Sequence, residues 1–153
     1  MENHNSTEET LQQAAQEDPI VMYLIVRESL GMSIGKVGVQ CGHAVQLLML
    51  KREEILSKLD FIGSVHSESI MQKYFAQMCL FNTWLNSGYR KVTLRASEKD
   101  WIKLKEIFTE NERIIVVDLG LTELAPMTET IIGLLPMRKS ERPKLLTKLQ
   151  TLK

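Results

Sequence analysis

Two cysteines among 153 residues, Cys41 and Cys79, are too few for a disulfide framework, and both fall inside apolar stretches with helical spacing. They are expected to be buried structural thiols, because a free cysteine behaves by default as a small hydrophobe. The Cys41-x-His43 pair does not make a metal or thiol site on a helix, where residues two apart point about 200° apart around the axis. No apolar run approaches the roughly 20 residues that span a bilayer. The amino terminus has no basic region followed by an apolar one, which leaves no membrane partner and makes the cytoplasm the expected compartment. An excess of charge of one sign is missing as well, since 19 Lys and Arg balance 19 Asp and Glu. With 44% apolar and 25% charged residues, the composition excludes fibrous and disordered classes and fits one domain with a sizeable core.

The balance of charge hides an asymmetry. Residues 1 to 18 hold five acids and no Lys or Arg, whereas from residue 137 onward six bases face only Glu141. The first 18 residues are rich in Glu, Gln, Asn, Ser and Thr, too polar to offset the entropy of ordering, and read as a flexible acidic leader before a folded domain at 19 to 153. A mildly basic body is compatible with a polyanion but does not demand one.

Seven apolar residues in a row, Ile20 to Val26, suit a central strand covered on both faces. After the Gly31 to Gly35 turn, apolar residues from Val37 to Leu59 recur at helical intervals, with Ser33 as N-cap and Lys36 in the first turn. A second helix is expected from about Ser67 to Leu85, a strand from Tyr89 to Ala96, and a third helix opened by Ser97 and Asp100 in a capping box. Ile114 to Val117 and Thr130 to Leu135 read as two further strands joined without a helix, followed by a basic tail with room for one helical turn. The order implies an α/β three-layer sandwich: a mixed, roughly four-stranded central sheet with an antiparallel element and helices on both faces.

Two polar groups fall where the chain leaves a strand, Lys36 behind the glycine turn and Asp118 after Ile114 to Val117. In an open α/β sheet, ligands bind at the carboxyl ends of strands. A phosphate-binding P-loop is excluded, because it needs four residues between its glycines and Ser or Thr after the lysine, whereas Gly31 and Gly35 are separated by three and Val37 follows Lys36. What survives is a lysine near a helix amino terminus, either solvated or facing an anion. Gln40 and His43 share its helical face; Gln40 could be a surface amide and His43 a satisfied core histidine. Asp118 before Leu119-Gly120 could cap the strand exit with an Asx turn or orient a water.

Tyr23 to Arg27 followed by Leu30-Gly31-Met32-Ser33-Ile34-Gly35-Lys36-Val37-Gly38-Val39-Gln40-Cys41-Gly42-His43-Ala44 closely resembles the opening of the type-2 peptidyl-tRNA hydrolases of archaea and eukaryotes. Asp118-Leu119-Gly120-Leu121-Thr122-Glu123-Leu124-Ala125-Pro126-Met127-Thr128 is similar to that family's aspartate-x-glycine-x-threonine segment, and Trp84 to Ala96 to its tryptophan-to-strand stretch. The resemblance covers roughly residues 20 to 153. It implies hydrolysis of the ester between peptide and tRNA, with tRNA as partner, no cofactor, no metal, and a homodimer as one assembly. It places function on Lys36, Gln40, Asp118, Thr122 and Thr128, with His43 and Arg27 as support. Asp118 would position a water, Lys36 would offset the charge of the tetrahedral intermediate or hold a phosphate, and Thr122 and Thr128 would hydrogen-bond water, carbonyl or ribose.

The chain departs from the family pattern at Leu119 for alanine, Glu123 for glutamine and Met127 for glycine, and residues 52 to 83 are longer than usual. Glu123 adds negative charge where RNA would approach, and Met127 occupies a turn that glycine normally permits. Two alternatives stand beside the tRNA ester: a non-catalytic protein-binding module on the same fold, and a hydrolase of another small ester.

Overall fold

The computed structural model describes residues 18–62 and 68–153, with side chains described for all of these except 61 and 62. The leader over residues 1 to 17 therefore lies outside the described residues. Asp18, read as its last residue, is tied to the folded body: its carboxylate accepts the Ser140 N–H at 2.8 Å and the Ser140 hydroxyl at 2.7 Å.

The chain runs through β1 (Ile20–Arg27), α1 (Ile34–Ile62), α2 (Glu68–Asn86), β2 (Lys91–Ala96), α3 (Glu98–Ile107), β3 (Arg113–Asp118), β4 (Thr128–Leu134), β5 (Met137–Arg138), α4 (Lys144–Lys148) and β6 (Gln150–Thr151). Short 3-10 turns cover Glu28–Leu30 and Lys139–Glu141. The principal strands lie in the order β3-β4-β1-β2-β6, with β5 pairing the start of β1. The sheet thus has six strands, not four; β5 and β6 are two residues each, too short to show a period in sequence. β1 and β2 are parallel, and β3–β4 and β4–β1 antiparallel, so the sheet is mixed as expected.

The apolar run of β1 feeds two cores because successive side chains point to opposite faces. Ile20, Met22, Leu24 and Val26 pack with Ala44, Leu48 and Ile55 of α1 and Met78, Phe81 and Trp84 of α2. Val21, Tyr23 and Ile25 pack with Trp101 and Leu104 of α3 and Leu146 of α4. Helices therefore cover both faces of a three-layer sandwich. Gly133 lets α1 lie close on β4, since a Cβ there would stand 2.9 Å from Ile114 Cδ1 and 3.0 Å from Leu48 Cδ1. Trp84 closes one end of its core, donating Nε1–H to the Arg90 carbonyl at 2.8 Å.

Two expectations are corrected. Cys41 is only partly buried and Cys79 is exposed, because Cys79 faces away from the Met78–Phe81–Trp84 stripe that carries α2's burial. Of the apolar residues spaced helically between Val37 and Leu59, Ala44, Leu48 and Ile55 are buried, whereas Val39, Leu47 and Leu50 are exposed. Among the described residues no helix is long and apolar enough to cross a membrane.

Candidate functional site

Ser33 caps α1, its hydroxyl oxygen accepting the Lys36 N–H at 3.2 Å, and so fixes Lys36 in the first turn. From there the Lys36 ammonium crosses to the end of β3, where it lies 2.5 Å from Asp118 Oδ1 and 3.0 Å from Thr122 Oγ1. One turn further along α1, Gln40 is 2% exposed, so it is no surface amide. Its Nε2 donates to the same Asp118 oxygen at 2.8 Å, and its Oε1 accepts from the buried Thr130 hydroxyl at 2.7 Å. Thr130 also lies 3.2 Å from the Val116 carbonyl, so the amide is anchored to β3 and β4 together. The two readings of Asp118 coexist: Oδ2 accepts the Gly120 N–H at 2.9 Å in a tight turn while Oδ1 faces Lys36 and Gln40.

Immediately before Asp118 the pairing shifts register, Val116 opposing Ile131 and Val117 opposing Glu129, so β4 carries the extra residue, Thr130, as a bulge beside the carboxylate. The Lys36 ammonium holds its carboxyl below the ordinary 3.8, helped by the Gly120 N–H and the Gln40 amide and opposed by burial. Asp118 is therefore an ionised orienting group and a poor proton acceptor at neutral pH. A lysine ammonium has three protons, of which Asp118 and Thr122 engage two, so one remains to donate to a substrate oxygen.

The loop from 119 to 127 is pinned at several points. Glu123 accepts the Ser33 N–H at 3.1 Å and also the Ser33 hydroxyl. Those bonds hold its carboxyl below the ordinary 4.5, and its charge sits at the amino end of α1, where the helix dipole favours it. Met127 adopts a left-handed conformation at φ 63°, the backbone that glycine would take more easily, and its N–H donates to the Asp118 carbonyl at 2.8 Å. Thr128 stands opposite Asp118 in the β3–β4 pairing and donates to the Ala125 carbonyl at 2.7 Å, closing the loop.

His43 is exposed rather than in the core; its Nδ1 lies 3.4 Å from Gln46 Oε1. Lys36, Gln40, His43, Asp118 and Thr122 all line a groove of about 920 Å³ between α1 and the end of β3. Arg27 and Thr128 do not line it. Arg27 pairs with Glu98 at 2.7 Å, stacks 5.5 Å from the centre of the Trp101 ring, and reaches the Glu129 carbonyl at 3.4 Å, so it ties β1, α3 and β4 together beside the site. Sequence reasoning missed Thr130. The signal available was a lone hydroxyl in an apolar strand, Thr130-Ile131-Ile132, where burial demands a polar partner. Among the described residues no group of three or more His, Cys, Asp or Glu is arranged to hold a metal ion.

A mixed α/β sheet with an ion pair at the mouth of a groove, at the carboxyl end of a strand, has the arrangement at which open α/β sheets bind ligands. The profile of the family Peptidyl-tRNA hydrolase PTH2 matches residues 20–152, and the chain belongs to that family. It is 30% identical over 122 residues to peptidyl-tRNA hydrolase 2 of Saccharomyces cerevisiae, covering 78% of this chain and 51% of the yeast protein. It is 28% identical over 118 residues to the probable peptidyl-tRNA hydrolase 2 of Schizosaccharomyces pombe, covering 75% and 47%. A peptidyl-tRNA hydrolase of Saccharolobus islandicus is 28% identical over 120 residues, covering 76% of this chain and 86% of that one. The chain thus spans about half the length of the two yeast relatives it matches.

Proposed function

We propose that the chain hydrolyses the ester bond between peptide and tRNA in peptidyl-tRNA, returning free tRNA. The observation that carries this reading is the Lys36 ammonium, held 2.5 Å from a buried, ionised Asp118 and 3.0 Å from Thr122 at the mouth of a groove. Family membership and the names of the relatives support the substrate.

Water adds to the ester carbonyl, the bond to the ribose oxygen breaks, and the proton released by the water ends on that oxygen. Asp118 orients the water and keeps Lys36 aimed. The remaining Lys36 proton meets the oxyanion that develops on the carbonyl, and Thr122 adds a second hydrogen-bonding group beside it. Gln40 and Thr130 hold Asp118 in place from behind, while His43 faces the substrate along the groove, Thr128 closes the 119–127 loop and Arg27 braces β1, α3 and β4 beside the site. A ribose hydroxyl leaves far more readily than an amide nitrogen, so preorganised charge is enough for an ester. Cytoplasmic action and a homodimeric assembly remain parts of this proposal.

The intact cluster favours catalysis over a purely protein-binding role, because a structural fold gains little from burying Lys36 against Asp118. The deciding experiment is release of tRNA from purified N-acyl-aminoacyl-tRNA by the full chain. Turnover well above buffer is expected; none above buffer would reject the reading.

A further inference from the structure

The groove continues past the ion pair along a wall of exposed apolar side chains. On α1 these are Val39, Leu47 and Leu50, 56%, 36% and 65% exposed, and on the facing wall Val117, Leu119 and Leu121, 40%, 70% and 86% exposed. Apolar side chains gathered in one concave surface mark a binding site rather than scattered surface residues. Val116 and Val117 both line the groove although adjacent strand residues point to opposite faces, so it passes around the outer edge of β3, the edge strand of the sheet among the described residues.

We propose that this groove is the acyl channel of the site, holding an extended apolar stretch of the substrate's peptide against α1 and the free edge of β3. The inference rests on the ester-hydrolase reading, because an ester seated at Lys36 and Asp118 has two sides and the groove must receive one of them. Charge decides which. Among the described residues lining the groove, Lys36 is the only Lys or Arg, and it is already paired with Asp118, with Glu53 further along. Glu53 is itself paired with Arg52 at 2.7 Å, so a polyanionic tRNA backbone finds no unpaired Lys or Arg in that lining, whereas an apolar peptide replaces water on six exposed hydrophobic side chains. Length agrees: from Lys36 to Glu53 the helix rises about 25 Å, room for roughly seven residues of extended chain. Among the described residues no strand pairs with the outer edge of β3, which offers main-chain hydrogen bonds to such a strand.

The test compares two substrates on the same tRNA: an N-acetyl-leucyl ester, too short to reach Leu50, and a six-residue leucine-rich peptidyl ester. The wild-type chain is expected to favour the long substrate about tenfold or more in kcat/KM. In Leu50→Glu and Leu47→Glu that preference should collapse toward unity, while Ile102→Glu, exposed on α3 away from the groove, should keep it. A wild type that hydrolyses both substrates with no preference, or variants that retain it, would overturn the channel while leaving the hydrolase standing. Turnover of neither substrate would overturn the hydrolase reading and the channel with it. If Leu50→Glu instead changes the molecular mass in solution and leaves the preference intact, the wall is a contact between copies and the proposal fails.

Discussion

Replacing Met127 with glycine should raise the melting temperature by about 1–4 °C. Met127 sits at φ 63°, a conformation that costs a residue with a Cβ about 1–2 kcal/mol. Its side chain is 73% exposed, so little burial is lost with it. Glycine's greater freedom in the unfolded chain takes back roughly 0.4–1 kcal/mol, leaving a net gain of about 0.5–1 kcal/mol. For a domain of this size, 1 kcal/mol corresponds to about 2–4 °C. Thermal unfolding followed by circular dichroism measures the shift, with Met127→Ala as control because alanine keeps the Cβ and hence the strain. A lowered melting temperature in Met127→Gly, or an equal rise in Met127→Ala, would refute the reasoning.

Three other perturbations follow from the same loop and its support. Gly120→Ala places a Cβ 2.5 Å from Pro126 N and 2.7 Å from its Cδ at a φ of +77°, so it should lower the melting temperature by several degrees and abolish most turnover, since the Gly120 N–H holds Asp118. Thr130→Val keeps the shape but leaves the buried Gln40 oxygen without its donor, at a cost of about 1–3 kcal/mol by denaturant unfolding, with kcat falling more than KM rises. Asp118 has a folded pKa below its ordinary 3.8, so its contribution to stability is present above the unfolded value and is lost as pH falls through the folded one. Turnover should accordingly show no acid limb from Asp118 between pH 7 and about pH 5; a carboxylate limb in that window that vanishes in Asp118→Asn would contradict the assignment.

Much of the fold was legible because its signals were local and strong. Seven consecutive apolar residues announced β1, and the Ser33 and Ser97 caps marked the starts of α1 and α3. The two-residue strands β5 and β6 were not legible, because their pairing depends on partners far away in sequence. At the site, Lys36, Gln40 and His43 were legible as one helical face, and the groove bears that out. Gln40's burial was not legible, since it depends on Thr130 from β4 meeting α1 across the sheet. Glu123 shows the same limit: its charge was visible in sequence, but not that Ser33 would take it up. The apolar groove was hidden for another reason, because Val39, Leu47 and Leu50 keep helical spacing whether they face a core or a ligand.

The central claim is that Lys36 and Asp118 act as one unit on the ester. Single-turnover hydrolysis of N-acyl-aminoacyl-tRNA by Lys36→Met, Asp118→Asn and the double variant tests it most directly. Each single change should slow the reaction by about 10²–10³, as loss of a preorganised charge does, and the double should be little slower than either alone. Near-wild-type rates in either single variant, or losses that multiply in the double, would contradict it.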